Sequence, residues 1–222
     1  MKTIIVAILV FFTMTAACFG QKDKPTVSFH AGTSLVSLRG NDIIDQYHKT
    51  DVRPAARMEL MIPLKKRFFI STGLGYEQKG SKINSVPYYD NLGNQVGYEK
   101  IKHKFNYLVL PVWFGKSFGK KINFNLRTGF FGALMLSEKQ VSQVESSNEI
   151  TVVNGGFYKK GDAGLLLGTG ISLPLKNKKW RMGFDITEAL GLTNISAIET
   201  VNDGTIKTNS LNLSVGLFYS LK

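Results

Sequence analysis

The feature that most constrains this chain is a two-residue alternation recurring in runs of about ten residues. In "NFNLRTGFFGALML" (123–136), Phe124, Leu126, Thr128, Phe130, Leu134 and Leu136 share one face, and Asn123, Asn125, Arg127, Gly129 and Ala133 fall between them. Successive side chains of an extended chain point to opposite sides, so this spacing makes a strand with one apolar face and one small or polar face. Eight such runs are present: 26–38, 54–62, 68–78, 105–115, 122–136, 163–174, 180–192 and 209–221. After the amino-terminal segment no stretch has the period of an amphipathic helix.

The connections alternate in length. "PLKKR" (63–67), "KSFGKK" (116–121) and "PLKNKK" (174–179) are short, whereas 39–53, 79–104, 137–162 and 193–208 are long and polar. Keeping every short turn on one rim is the habit of an up-and-down barrel that spans a membrane. The second face of the runs decides between lipid and water outside. It is built of Gly, Ser, Asn and Ala with isolated charges, which suits a narrow lumen and not a solvated exterior. Charges are almost absent from the apolar positions, where Arg or Lys at mid-bilayer would cost about 2–4 kcal/mol. The expected fold is all-β: an eight-stranded antiparallel up-and-down transmembrane β-barrel with short periplasmic turns and four longer extracellular loops. Closure leaves no unpaired edge in lipid.

Aromatic residues gather at run ends, Phe68, Trp113, Phe114, Trp180 and Tyr219 beside the short turns and Tyr76, Phe105 and Tyr107 near the long loops. They are expected to form two interfacial belts. The fourth run, "NYLVLPVWFG", is apolar on both faces. Leu108, Leu110, Val112 and Phe114 are assigned to lipid, and Pro111, which has no ladder donor, marks a site for a bulge.

Lys2, the apolar run Ile4–Met14 and the small residues Thr15, Ala16 and Ala17 form a secretory signal, with cleavage expected after Gly20. That assigns 1–20 to a removed signal peptide and 21–222 to a barrel domain exported to the bacterial outer membrane. Cys18 is the only cysteine, so the mature chain has no thiol chemistry; lipidation at Cys18 is the alternative. The full chain has 28 basic and 16 acidic residues, a net +12. The three short turns hold Lys65, Lys66, Arg67, Lys116, Lys120, Lys121, Lys176, Lys178 and Lys179 and no acid. The excess therefore faces the periplasm as an interfacial anchor or a partner surface. Export argues against nucleic acid.

Six charged residues fall at inward positions: Arg57, Glu59, Glu77, Arg127, Arg181 and Asp185. A lone buried charge is costly, so a salt-bridged network filling the lumen is expected, with Arg57, Glu59, Arg127 and Asp185 nearest one another. Ser28 and His30 share one face of the first run and invite comparison with lipid-hydrolysing barrels, yet no acid stands near them in sequence. His48 and His103 lie in or near long loops without metal spacing and are expected to be solvated. "GTG" (168–170) precedes no helix and is no phosphate loop. The aromatic loop "VPYYDNLGNQVGY" (86–98) suits a partner or sugar, or a hairpin packed on itself. No catalytic residue, metal ligand or cofactor site is assigned.

"NYLVLPVWFGKSFGKKINFNLRTGFFGALML" resembles the Tyr-Leu-x-x-Pro strand, short turn and glycine-bearing strand of the PorT-type outer-membrane β-barrel family. "AGLLLGTGISLPL" is similar to its next glycine-rich strand, and "ALGLTNIS" to its Gly-Leu-Thr-Asn-Ile segment. The resemblance implies an outer-membrane barrel of roughly eight strands, some of whose relatives serve protein secretion. Val109 stands where the family often has an acid, and the chain ends "FYSLK" and not on an aromatic residue. The functional expectation is a structural, accessory or interaction role among outer-membrane lipids, with protein export one candidate and a periplasmic or surface protein as partner. The alternatives are a lipid-modifying enzyme on the same barrel and a soluble exported ligand-binding barrel.

Overall fold

The computed structural model describes residues 24–89, 92–144, 150–152, 156–176, 179–200 and 204–221. The expected signal peptide, its cleavage site and Cys18 lie outside the described residues, as do Asp90 and Lys178. The elements are β1 (Thr26–Arg39), a short helix α1 (Asp42–Tyr47), β2 (Asp51–Pro63), β3 (Phe68–Tyr89), β4 (Gln95–Phe118), β5 (Asn123–Val144), β6 (Ile150–Val152), β7 (Gly161–Pro174), β8 (Trp180–Gly191) and β9 (Lys207–Ser220). Each main strand pairs antiparallel with the next, β5 pairs β7, and β9 returns to β1. The result is an eight-stranded up-and-down ring, with β6 a three-residue addition against Gln140–Ser142 of β5.

The apolar face points outward. Leu167 is 61% exposed and Val215 56%, whereas Asn212, on the other parity of β9, is 7% exposed. Phe29, Met58, Leu74, Leu110, Leu126, Phe130 and Met182 are likewise exposed, and Ser28, Glu59, Arg127, Asp185 and Thr187 are buried inside. An exterior of bare aliphatic and aromatic groups around a polar interior is what lipid demands, and it rules out the soluble ligand-binding barrel. No helix among the described residues is long and apolar enough to cross a membrane, so crossing falls to the strands. Glu188 is an acid at an outward position, opposite Leu167 and Leu211 in register.

Four expectations need correction. Trp113, Phe105 and Tyr107 are not belt residues; all three are buried on the inner face. The belt near the short turns consists of Phe68 stacked on Phe114 and Trp180 against Tyr219, with ring centroids 5.4 and 4.7 Å apart. The long connections contain more strand than the alternation revealed: β3 and β4 stay paired out to Tyr89 and Gln95, making 79–104 a hairpin extension. Once both faces meet water, alternation ends although the backbone ladder continues. His48 and His103 are not freely solvated: their rings stack at 5.4 Å, and His48 Nδ1 lies 2.6 Å from Ser81 Oγ. Burial lowers the pKa of both, that of His103 to about 4. The bulge expected in β4 lies between Asn106 and Tyr107, where β5 inserts Leu136 between their partners. At Pro111 the β3–β4 ladder lacks the pairs between Thr72–Val112 and Gly75–Val109, while the register runs on unshifted.

The outer mouth is closed by an apolar cluster of Leu38, Ile44, Phe105, Tyr107, Met135 and Ile195, against which Tyr158 and Ile206 pack. Ile195 belongs to "GLTNIS". Asn194 Oδ1 accepts from the Ser196 and Ile206 amides at 3.0 and 2.9 Å, and this turn drives Ile195 into the mouth.

Candidate functional site in the lumen

The lumen is organised around Arg127 of β5. Its guanidinium donates to Glu59 Oε2 at 2.9 Å and to Asp185 Oδ1 at 3.1 Å, and lies 4.3 Å from the centre of the Trp113 ring. Trp113 Nε1 donates to Glu59 Oε1 at 3.2 Å, and Arg57 Nε sits 2.9 Å from that same oxygen. Two arginines therefore face two carboxylates, and planar guanidinium forks suit such paired contacts. The space for Arg127 comes from the "GTG" run of β7. A Cβ on Gly168 would stand 3.0 Å from Arg127 Nε, and one on Gly170 only 2.4 Å from Asp185 Oδ1.

Of the six charged residues singled out in the sequence, Arg57, Glu59, Arg127 and Asp185 come together. Glu77 does not join them: it accepts from Ser34 Oγ and Asn212 Nδ2, both at 3.1 Å. Arg181 lies toward the short-turn rim, where it donates to Ser172 Oγ, to the Ser172 carbonyl at 2.8 Å and to the Lys121 carbonyl. Between the central cluster and Glu77 lies a cavity of about 50 Å³ lined by Arg57, Glu77, Val109, Leu166, Ala189 and Asn212. That is room for roughly three or four waters. Val109 faces into it.

His30 extends the network. Its Nδ1 is 3.2 Å from Asp185 Oδ2 and its Nε2 is 2.9 Å from Ser28 Oγ. The acid that sequence proximity did not offer arrives from β8, with Gly216 leaving room for the imidazole; a Cβ there would meet His30 Nδ1 at 2.7 Å. Ser, His and Asp in this order resemble a hydrolytic triad. However, Ser28 is 1% exposed, and the Phe218 ring stands edge-on to His30 at 5.1 Å. Ser28 also lies in the ladder between β2 and β9, where backbone N–H groups are engaged in the sheet and not gathered into an oxyanion hole.

A second ion pair escaped the sequence reading. Lys79 is fully buried, 3.1 Å from Asp162 Oδ2 and 4.1 Å from the centre of the Phe131 ring. Thr208 and Thr193 donate to the two oxygens of Asp162 at 2.7 and 2.8 Å. Lys79 and Asp162 each fall one residue beyond an alternating run, so their shared inward parity shows only once the true strand ends are known. Among the described residues no three His, Cys, Asp or Glu gather as metal donors.

The structure is similar in shape to several solved barrels. Ail of Yersinia pestis matches with 8% identity and a TM-score of 0.44, over 89% of this chain and 99% of its own. Neisserial surface protein A matches with 10% identity and a TM-score of 0.47, over 89% and 97%. OprG of Pseudomonas aeruginosa matches with 10% identity and a TM-score of 0.44, over 91% and 98%. Comparison with curated protein sequences finds no match. The model of the outer membrane protein beta-barrel domain matches residues 19–197, most of the chain. The chain thus belongs to the outer membrane protein beta-barrel domain family, which places it in the bacterial outer membrane.

Proposed function

We propose that this barrel is a sealed, non-enzymatic platform whose work is done by its two rims: a structural, accessory or interaction role, with protein export the leading candidate through its PorT-type resemblance. The observation that carries this reading is the filled lumen. Paired charges occupy its middle, and the apolar cluster around Ile195 occupies its outer mouth. An eight-stranded barrel is only just wide enough for its own side chains. The short-turn rim adds a basic vestibule of about 460 Å³ lined by Lys24, Arg67, Lys120 and Arg181, which suits an anionic partner or the inner-leaflet headgroups. Purified protein in planar bilayers is expected to give no stable conductance, and crosslinkers placed in the 79–104 hairpin and the Lys120 turn are expected to capture a protein partner. Stable open channels would overturn the platform.

The Ser28–His30–Asp185 geometry favours one rival, a lipid-modifying enzyme. Under the platform reading, Ser28→Ala leaves the lipid A mass spectrum unchanged; a shift in lipid A species on that substitution would establish the rival. The platform reading also takes the mature chain to begin at Gln21, which amino-terminal sequencing of the membrane-inserted protein checks.

A further inference from the structure

We infer that the outward face of the β3–β5 extension binds a phosphate-bearing glycolipid of the outer leaflet. Outward residues of these strands change character in tiers as they leave the membrane. Tyr76, Leu108 and Leu134 form the last paired apolar tier, with the inserted, exposed Leu136 just above them. Above it, Gln78, Asn106 and Ser137 make a polar tier, Gln78 donating to Asn106 Oδ1 at 2.8 Å and Asn106 to Ser137 Oγ at 2.7 Å. Lysine dominates the next tiers, with Gly80, the buried Val141, Asn84 and Gln143 as their other members. Lys104 is paired in register with Lys139, Lys82 with Lys102, and Lys100 follows one tier higher. Lys49, beyond α1, bridges to Lys82.

Like charges directly opposite on neighbouring strands are destabilising, and here two such pairs and a like-charged bridge adjoin. The strand carboxylates of this region are engaged elsewhere: Glu138 is on the opposite parity, paired with buried Phe105; Glu99, also on the opposite parity, accepts from Ser142 Oγ; and Asp51, two residues beyond Lys49, is ion-paired with Arg53. None of the six lysines forms an ion pair among the described residues. A face of this kind calls for an external anion. Its height selects the anion: at a strand rise of about 3.4 Å per residue and a tilt of about 40°, these lysines stand about 30–40 Å above the short-turn rim. The lipid-facing band is about 25 Å tall, so the lysines lie in and just above the headgroup layer, within reach of lipid phosphates. The inference concerns this outer surface and stands apart from the sealed-platform reading.

The test is native mass spectrometry of the folded barrel given bis-phosphorylated lipid A. Each lysine near an anionic surface contributes about fivefold, so changing Lys82, Lys102, Lys104 and Lys139 to Gln should cut retained lipid A by more than about tenfold. Lipid A stripped of its phosphates should be lost equally from the unaltered protein. Lys65, Lys66 and Lys176 changed to Gln, a similar charge loss on the opposite rim, should leave retention intact. Without lipid A, the quadruple variant should melt no lower than the parent, since its repulsion is gone. If it fails to fold, Lys104→Gln with Lys139→Gln gives the same comparison. Retention that survives the substitutions or the dephosphorylation, or falls equally with the opposite-rim control, overturns the inference. So does capture of a soluble sulfated polysaccharide in place of lipid A.

Discussion

Arg127 illustrates how a single side chain can set the interior of a membrane barrel. It satisfies one oxygen each of Glu59 and Asp185 and covers Trp113, so its removal leaves Glu59 with Arg57 and Trp113, leaves Asp185 with His30, and takes the shared cation from two buried carboxylates at once. Arg127→Ala should destabilise the barrel by about 3–5 kcal/mol, the usual cost of breaking a buried pair from one side. Urea unfolding in lipid vesicles measures this, and a loss below about 1 kcal/mol would mean the network is solvated. His103 makes a pH-dependent prediction outside the membrane. Its pKa is lowered by burial to about 4 where it stacks on His48 beside the Lys49–Lys82 bridge and returns to the ordinary 6.5 when that contact opens, so the open form binds more protons between those values. Closure is therefore fully stabilised above about pH 6.5 and weakens as pH falls toward about 4. The amides of Lys49 and Lys82, which donate to each other's carbonyls at 2.7 and 3.1 Å, should lose hydrogen-exchange protection at pH 5 relative to pH 7. His103→Gln should reduce that dependence. Arg57, Glu59, Arg127 and Asp185 were legible in the sequence because period two fixes the face of every mid-strand residue. His30 as the partner of Asp185 was not, since a register between β1 and β8 passes through β9 and no local pattern encodes it.

At the level of the strand, β7 shows what its glycines are for. Its outward residues Leu165 and Leu167 meet lipid while Gly168 and Gly170 leave the lumen free for Arg127 and Asp185. Gly170→Val should push Asp185 aside and cost about 1–3 kcal/mol by overpacking. Gly161→Ala, where an added Cβ meets nothing within 4 Å, should change thermal stability little. Equal effects at the two positions would show that the glycines serve backbone curvature and not side-chain room. Strand cores were readable in sequence to within a few residues, but the outer ends of β3, β4 and β5 were not. Those ends hold Lys79, Ser81 and His103, so the second ion pair and the stacked histidines vanished with them. Trp113 was misplaced for a related reason: its run is apolar on both faces, and only the Arg127 and Glu59 contacts show which side is lumen.

The molecule as a whole is a polar core in an apolar sleeve, closed at the outer end by Ile195 and its neighbours, with basic short turns at one membrane edge and a lysine-rich β3–β5 sector at the other. This inversion of the soluble pattern follows from the solvent, since lipid leaves no driving force to bury leucine but a large one to pair every charge. The most direct test is spin-label accessibility in bilayers, with single cysteines placed at Leu165, Leu167 and Val215 and at Asn212 and Ser214. The first three should be reached by oxygen and not by a water-soluble nickel complex, and the last two should be shielded from both. Labels at Asn212 and Ser214 exposed to oxygen in the bilayer, with Leu167 and Val215 shielded, would contradict the account.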